Sequence, residues 1–295
     1  MVDPQSSSEQ NPFSLFRLLL GCACISFAPV FIKLAGLPPD SAGFYRMLFA
    51  SVSLFLVLRL RKVKLRMAKR PKLLLLGSGL FLAVDFMCWH RSIELVGPGL
   101  STLLANFQVF FTALISWLFL KQKISRLFII SIIMALCGLQ LITGADWSLV
   151  EKNYLLGIFF GLLAGLFYSG YILLVKESMD DRSVTGVSAM LMVALSSVML
   201  LGVVAPLNGQ SFAIPSSGSL FAIAGAGIIS TTIGWSLISS AIKHIPATIA
   251  GLVLLLQPTL ALVWDVVIFG KPTGLLEIFG ILLILVAIYI GSYRR

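Results

Sequence analysis

The stretch PATIAGLVLLLQPTLALVWDVVIF, residues 246–269, indicates the class of fold. Asp265 is its only charged residue. About 20 predominantly apolar residues are enough for an α-helix to cross the roughly 30 Å hydrocarbon core of a bilayer. The stretch therefore predicts a membrane-spanning helix.

The rest of the chain repeats this composition. It is 58% hydrophobic and 12% charged, with a mean hydropathy of +1.01, whereas soluble domains are about 25% charged. Apolar runs separated by Gly, Pro and charged residues predict ten helices, near residues 13–35, 40–60, 72–95, 98–120, 126–144, 154–176, 184–206, 217–241, 246–269 and 273–292. Because the loops between them are short, neighbouring helices are antiparallel. We expect an all-α integral membrane protein with ten transmembrane helices.

The basic residues predict the orientation of these helices. Of 22 Lys and Arg residues, 17 fall on one side of the predicted arrangement, eight of them around the loop after helix 2. The loops of the other side hold only Lys33, Lys152 and Lys271. Since cytoplasmic loops are enriched in Lys and Arg, we predict a multi-pass protein of the cell inner (plasma) membrane. Both termini, including the tail 1–12, are then cytoplasmic.

The same pattern argues against other partners and cofactors. The net charge of +10 lies in short loops, where the orientation rule places it, so no nucleic-acid partner is predicted. All four cysteines lie inside apolar segments, which predicts reduced packing residues and neither a disulfide framework nor a metal site. They are Cys22, Cys24, Cys88 and Cys137. No cofactor is expected.

Ten helices divide into two sets of five, and sequence echoes support a duplication. At an offset of 149 residues, Leu103 falls on Leu252 and Gln108 on Gln257 without a gap. Because five is odd, related halves must lie in opposite orientations, as in many transporters. We therefore predict two inverted repeats, residues 13–145 and 154–292, after the tail 1–12.

The chain resembles the drug/metabolite transporter superfamily, in its EamA-type branch, over about residues 15–292. The motifs that carry the resemblance are Ser26-x-x-Pro29-x-x-x-Lys33, Phe44-Tyr45-Arg46-x-Leu48-x-Ala50, Asp85-x-x-x-Trp89-His90-x-Ser92-Ile93, Leu104-Ala105-Asn106 and the turn from Ala241 to Gln257-Pro258. The resemblance implies export or exchange of small organic metabolites such as amino acids through a central cavity. The family's Gly-Glu pairs closing helices 4 and 9 are replaced here by Lys121-Gln122 and Gly270-Lys271. Mechanisms that depend on those glutamates are therefore in doubt.

Polar residues inside a membrane are costly and mark functional sites. In helix 3, Asp85, Trp89 and Ser92 share one face, which predicts a site for substrate or a proton near the midplane. Arg46 could bind a carboxylate or hold an acid structurally. The remaining candidates of the first half are Tyr45, His90, Asn106 and Gln108. His90 could instead face the membrane interface, and Asn106 and Gln108 could serve only to hold helices together.

The second half supplies more aromatic candidates. The predicted substrate-binding residues there are Tyr168, Tyr171, Trp235, Ser239, Gln257 and Trp264. Thr231, Trp235 and Ser239 share one helical face, and Gln257 precedes Pro258, which interrupts the helix. Arg91 and Lys33 are expected to reach outward to solvent, and Asp265 to lie at the interface.

These observations favour a secondary transporter that exports small metabolites by alternating access. Proton coupling through Asp85 is a hypothesis, and uncoupled exchange or uniport of the same solutes is its alternative. A lipid-modifying membrane enzyme and a channel are the other classes considered, but no catalytic cluster or filter loop is evident. Gly157, Gly161 and Gly165 allow close helix packing, either within a monomer or at a weak homodimer face. The expected partners are a small-molecule substrate and the lipid bilayer.

Overall fold

The computed structural model describes residues 12–62, 67–121, 125–143, 151–181 and 183–293. Every regular element in these ranges is a helix. The α-helices are α1 Pro12–Ser26, α2 Ala28–Ala35, α3 Pro39–Leu60, α4 Lys69–Val96, α5 Pro98–Ala105, α6 Gln108–Leu120, α7 Arg126–Thr143, α8 Lys152–Ser178, α9 Gly186–Leu207, α10 Ser217–Gly225, α11 Trp235–Ala241, α12 Ala247–Leu254, α13 Leu256–Phe269 and α14 Leu275–Tyr293. A π-helix, Ala226–Gly234, joins α10 to α11, and a 3₁₀ turn, Ile242–His244, follows α11.

Nine stretches of the described chain are long and apolar enough to cross a membrane. The tenth predicted helix is present as a shorter apolar helix over Arg126–Ile142. The all-α, ten-helix prediction is thus confirmed. We call α1–α7 the first repeat and α8–α14 the second. The predicted tail 1–12, apart from Pro12, and the loop residue Gln122 lie outside the described residues.

Three of the ten predicted helices are interrupted, and of these breaks only the one near Pro258 was predicted from the sequence. The breaks fall at Phe27, at Asn106 with Phe107, and at Leu255. Pro258 explains the last break, because it has no N–H to donate to the carbonyl four residues earlier. At the second break, the Asn106 side chain donates to the Thr102 carbonyl at 2.8 Å. The same carbonyl also accepts from the Asn106 backbone nitrogen at 3.2 Å, so the side chain adds a second hydrogen bond at the break.

The positions of these breaks show the internal repeat. α5, residues 98–105, and α12, residues 247–254, differ by 149 at both ends. The same offset relates Lys121 (φ 53°) to Gly270 (φ 63°), and these two left-handed residues end α6 and α13. This is the offset at which Gln108 falls on Gln257. Backbone interruptions at equivalent positions are therefore a property of both repeats.

The glycines of α8 pack within the monomer. Gly157 lies against Leu95 and Val96, Gly161 against Leu104, and Gly165 against the backbone around Ala105. Of the two roles predicted for this run, the structure shows intramolecular packing. Because these glycines have no Cβ atoms, α8 approaches α4 and α5 closely, and this packing joins the two repeats.

The two faces of the protein differ in how the repeats meet. We call the face with the loops after α3, α6 and α8 the basic side, and the opposite face the far side. On the far side, α5 packs against α13, with Gly99 touching Leu262. On the basic side, the equivalent helices α6 and α12 form no comparable packing contact within the described residues. The related spans therefore meet on the far side and separate towards the basic side.

We predict that Gly165→Val destabilises the fold, because an added Cβ would lie 2.9 Å from the Ala105 carbonyl oxygen and 3.1 Å from the Gln108 nitrogen. Backbone atoms cannot move aside as a side chain can, and overpacking typically costs about 1–3 kcal/mol. The measurement is the unfolding midpoint of the detergent-purified protein. Gly186→Ala is the matched control, because its Cβ would meet nothing within 4 Å. Equal midpoints for the two variants would contradict the packing described.

Candidate functional site

Arg46 is the charged residue around which the candidate site is built. It lies in α3 and is 5% exposed. Its Nε donates to the Thr231 hydroxyl of the second repeat at 3.0 Å. Its guanidinium carbon lies 4.3 Å from the centre of the Phe86 ring and 5.3 Å from that of Trp89. One hydrogen bond and two ring faces hold this buried cation, since aromatic faces attract cations.

Not every donor of this cluster has an acceptor. Arg46 Nη1 and the Trp89 indole Nε1 are buried and have no hydrogen-bond partner in the described structure. Because buried polar atoms in proteins are normally paired, such orphaned donors need an explanation. Two donors on neighbouring side chains are suited to a carboxylate or another oxygen-rich group.

Asp85 supplies the opposite charge. It is 4% exposed and interacts electrostatically with Arg46. No ion pair within 4.0 Å and no hydrogen bond involves its carboxylate among the described residues. The structure thus places an acid and a base in one buried region without joining them directly. Such an arrangement leaves both charges for a third group.

Aromatic rings of the second repeat complete the walls. Tyr168 and Tyr171 in α8 have ring centres 5.2 Å apart, and Tyr171 meets Trp235 edge-on at 6.4 Å. The Tyr171 hydroxyl lies 3.4 Å from the Met190 sulfur. The charges of Asp85 and Arg46 act on Tyr168. Residues of both repeats therefore meet around the charged centre.

Two predicted residues of the first repeat lie further towards the far side. The Tyr45 hydroxyl donates to the Phe212 carbonyl at 2.7 Å. His90 is buried, contrary to the alternative that it faces the interface, and its Nδ1 donates to the Pro39 carbonyl at 2.8 Å. Ser92, predicted on the same face as Asp85, donates to the Gly157 carbonyl and packs between helices.

Several other candidates lie at the helix breaks or beyond them. Gln108 begins α6, where its carbonyl accepts bonds from Thr112 and Ser169. Gln257 lies in the first turn of α13, and its Nε2 is 3.8 Å from Cys22 Sγ. Gln108 and Gln257, like Asn106, therefore lie next to the helix breaks.

Trp264 and Ser239 lie away from the charged cluster in different ways. Trp264 stacks on Phe27 at 4.6 Å and donates to the Ser26 hydroxyl at 3.0 Å, so it braces the break in the first span. Ser239 is exposed, one turn beyond Trp235 towards the basic side. The predicted face of Thr231, Trp235 and Ser239 therefore runs from the buried cluster out to that side.

Thr231 and Phe86 are parts of the site that sequence reasoning missed as site residues. Thr231 lies in the π-helix, and its hydroxyl donates to the Ala226 carbonyl five residues earlier. The wider turn of a π-helix is frequent at functional sites, and here it presents the hydroxyl to Arg46. Three consecutive polar residues, Ser230 to Thr232, are its signal in the sequence, whereas nothing distinguished Phe86 from other apolar residues.

The far-side charges differ from their predicted roles. Asp265, expected at the interface, is 1% exposed and accepts from the Gly99 backbone nitrogen at 3.1 Å. Arg91, expected to reach outward, donates to both oxygens of the fully buried Asp40, at 2.5 and 2.8 Å. Burial of the acids explains both differences, because a buried carboxylate needs donors and takes them from nearby residues.

Comparison with known proteins agrees with this architecture. The model of the EamA-like transporter family matches residues 12–144 and again residues 155–293. The chain belongs to this family. Its two matched segments cover both five-helix repeats, and the resemblance inferred from the sequence motifs is confirmed.

Similar proteins bear the same general description. An uncharacterized transporter, YxxF, of Bacillus subtilis (strain 168) is 25% identical over 296 residues, covering 99% of this chain and 94% of that protein. An uncharacterized transporter of Helicobacter pylori (strain J99 / ATCC 700824) is 26% identical over 178 residues, covering 58% of this chain and 59% of that protein. A crystal structure at 16% identity has the same fold, with a TM-score of 0.66 over 94% of this chain and 95% of that one. The protein is a multi-pass membrane transporter of the EamA type.

We predict that Thr231→Val lowers stability while Thr231→Ser largely retains it. Valine has nearly the same shape as threonine but leaves Arg46 Nε buried without an acceptor, which costs about 1–3 kcal/mol. Serine keeps the hydroxyl. The measurement is the unfolding midpoint in detergent, and a Val variant as stable as the Ser variant would show that this bond does not hold Arg46.

Proposed function

We propose that this EamA-type protein exports small zwitterionic metabolites, such as amino acids, across the cell inner membrane by alternating access. The moving halves are the two repeats, 13–145 and 154–292. The basic side faces the cytoplasm, because cytoplasmic loops of membrane proteins carry an excess of Lys and Arg. Both termini then lie in the cytoplasm.

The observation that carries the proposal is the incomplete pairing of the charged centre. Arg46 Nη1 and Trp89 Nε1 are buried donors without acceptors, and Asp85 is a buried acid without a donor among the described residues. A carboxylate would satisfy the two donors, and an ammonium group would satisfy Asp85. A ligand with both groups neutralises the centre, whereas a simple acid or amine leaves one buried charge unpaired, which is costly in a membrane.

The surrounding rings favour an apolar or planar body on the ligand. Phe86 and Trp89 from the first repeat belong to the same hydrophobic cluster as Tyr168, Tyr171 and Trp235 from the second. Aromatic side chains contribute large contact areas with few rotatable bonds. Large apolar amino acids therefore fit the proposed site better than small hydrophilic ones.

The arrangement of the repeats supports loading from the cytoplasm. The far-side halves of the equivalent spans, α5 and α13, are packed together, while α6 and α12 are apart. Ser239 and Trp235 lie between the basic side and Arg46, so in this proposal a ligand passes them on its way to Arg46. Export requires a state in which the substrate enters the site from the cytoplasmic side.

The source of energy is proposed to be a proton gradient acting through Asp85. If Asp85 gives up its proton when it binds the ammonium group of the ligand, the movement of protons and the movement of the ligand are coupled directly. The alternative is uncoupled exchange or uniport, in which Asp85 binds the ammonium group but carries no proton from the far side to the cytoplasm. The name of the family and those of the relatives support transport rather than an enzymatic reaction.

The test is efflux from proteoliposomes loaded with labelled phenylalanine, leucine or glycine. We expect protein-dependent efflux of the two large amino acids, reduced about tenfold or more in Arg46→Lys, because a displaced buried charge contact costs about 2–5 kcal/mol. Trp235→Ala should also reduce efflux, because it removes a large aromatic contact area. Asp181→Asn, in an exposed loop, is a control variant outside the proposed site and also the charge control for Asp85→Asn. Efflux unchanged by both site variants would contradict the proposed site.

A pH gradient separates the two coupling modes. If protons drive export, an external medium more acidic than the lumen accelerates efflux by the wild-type protein, and Asp85→Asn abolishes this acceleration. Equal acceleration in the wild type and in Asp85→Asn would rule out coupling through Asp85. The buffer-matched control is efflux without a gradient.

A further inference from the structure

Two buried acids on the far side, Asp40 and Asp265, each connect the first repeat to the second. Asp40 Oδ2 accepts from Asn208 Nδ2 at 2.7 Å and from Gln210 Nε2 at 2.9 Å, both on the second repeat. The Gln210 side-chain oxygen in turn accepts from the Asp40 backbone nitrogen at 2.8 Å. Arg91, of the same repeat as Asp40, balances its charge.

Asp265 makes the reverse connection, from the second repeat to the first. Its Oδ2 accepts from the Gly99 nitrogen at 3.1 Å, and its Oδ1 lies 4.0 Å from Lys33 Nζ. Gly99 has no Cβ, and an added one would lie 3.2 Å from Asp265 Cβ. The close approach of α5 to α13 depends on this glycine.

Among the described residues, the basic side has no buried acid that joins the repeats, and its ion pair between them, Arg70–Glu177, is exposed to solvent. The offset of 149 makes Ser116 equivalent to Asp265, and Ser240 equivalent to Arg91. α3 and α9, Pro39–Leu60 and Gly186–Leu207, have equal lengths at an offset of 147, which makes Val187 equivalent to Asp40. An inverted repeat exchanges its two ends when the transporter changes state. Exposed ion pairs are screened by solvent and contribute little, so buried charged contacts at the far side, against the exposed pair at the basic side, bias the equilibrium.

A recess lies between the two acid clusters on the far side. Its volume is about 350 Å³, and Lys33, Pro39 and Glu94 are among its lining residues. His90 and Ile93, both 1% exposed, line it as well. His90 belongs to the same short segment as Arg91, and Pro39 precedes Asp40, so the Asp40 contacts lie beside this recess.

We infer that the Asp40 and Asp265 clusters are two latches of a far-side gate, which make the state open to the basic side the resting state. The inference rests on alternating access as proposed above. Each latch joins the repeats through a carboxylate, and opening the far side requires both to break. Asn208 and Gln210 act here as positioning residues for the gate and have no contact with the proposed ligand.

The structure offers a native reporter for this gate. Cys88 lies on α4 between Asp85 and Arg91, three residues from each, and is 6% exposed. It interacts electrostatically with Asp40, Asp85 and Arg91. A protein in which Cys88 is the sole cysteine can be treated with a membrane-impermeant maleimide from the far side. Labelling then measures how often that side opens, without any need for a transported substrate.

The first test variant is Asn208→Ala with Gln210→Ala, which removes the second-repeat partners but leaves the Asp40–Arg91 pair intact. Hydrogen bonds to charged groups contribute about 1.5–3 kcal/mol each, so we expect Cys88 labelling to accelerate about tenfold or more. Asp265→Ala, which breaks the other latch, should act in the same direction. Ser211→Ala, in the same loop with a bond only inside that loop, is the matched control and should label like the parent protein.

A second reporter separates gate opening from unfolding. Cys22 is fully buried and accepts from Gln257 on the packed face of α1. As the sole cysteine it should stay unlabelled in every variant. A separate protein with Ser211→Cys as its sole cysteine shows from which side the reagent arrives.

Unchanged Cys88 labelling in both latch variants, or equal acceleration at Cys22, would overturn the gate. Acceleration in only one variant would overturn the assignment of two latches. Loss of efflux with normal gating would instead count against the proposed function and leave the latches in place.

Discussion

A buried guanidinium in a membrane protein constrains everything around it. Arg46 is almost fully buried, and a charge in such a place must be paired, bonded or covered by a polarisable surface. The second repeat provides the Thr231 hydroxyl, and the first provides the faces of Phe86 and Trp89. The two repeats are therefore joined at their centre by a contact that leaves part of the cation unsatisfied. The incomplete pairing, and not the presence of a charge, is the basis of the functional proposal.

The π-helix is a consequence of the same constraint. The Thr231 hydroxyl bonds to Arg46 and to the Ala226 carbonyl at once, and the wider turn brings that carbonyl within 3.0 Å. Gly227, in the same segment, lies against the backbone of Arg46, where a Cβ would fall 2.6 Å from the carbonyl oxygen. A regular α-helix with larger residues would hold the second repeat further from Arg46. Local backbone geometry and the charged centre thus depend on one another.

Much of the fold could be predicted from the sequence, because apolar length and loop charge are strong signals. The offset of 149 residues found from Gln108 and Gln257 also relates the helix breaks of both repeats. The break at Asn106 was harder to predict, since no proline marks it. Asp265 and Arg91 were misjudged for a different reason. Distance along a helix gives depth in the membrane, but only the packing of the other repeat decides whether a side chain at that depth meets solvent or a partner.

The residues of the candidate site were partly predictable for the same reason. Arg46, Asp85 and Trp89 are unusual residues for a membrane span and were found from their chemistry. Phe86 looks like any apolar residue, and its role depends on a cation contributed by another helix. Trp264 and Tyr45 were candidates because of their ring types, yet they bond to Ser26 and to the Phe212 carbonyl. Residue type reveals a charged side chain in the sequence, but it does not reveal which aromatic or polar residues contact that charge.

The most direct test of the central claim is ligand-induced stabilisation of the purified wild-type protein. Phenylalanine, N-acetylphenylalanine and phenethylamine share one ring and differ in which charges they carry. A ligand that binds only the folded state stabilises it by RT ln(1 + c/Kd) at a free ligand concentration c, which is about 2.7 kcal/mol at a hundredfold excess over Kd, and it raises the unfolding midpoint accordingly. We predict that phenylalanine raises Tm and that the acid and the amine, each with one charge, do so far less at equal concentration. Equal stabilisation by all three compounds, or by the single-charge compounds alone, would contradict a site built on Arg46 and Asp85 together.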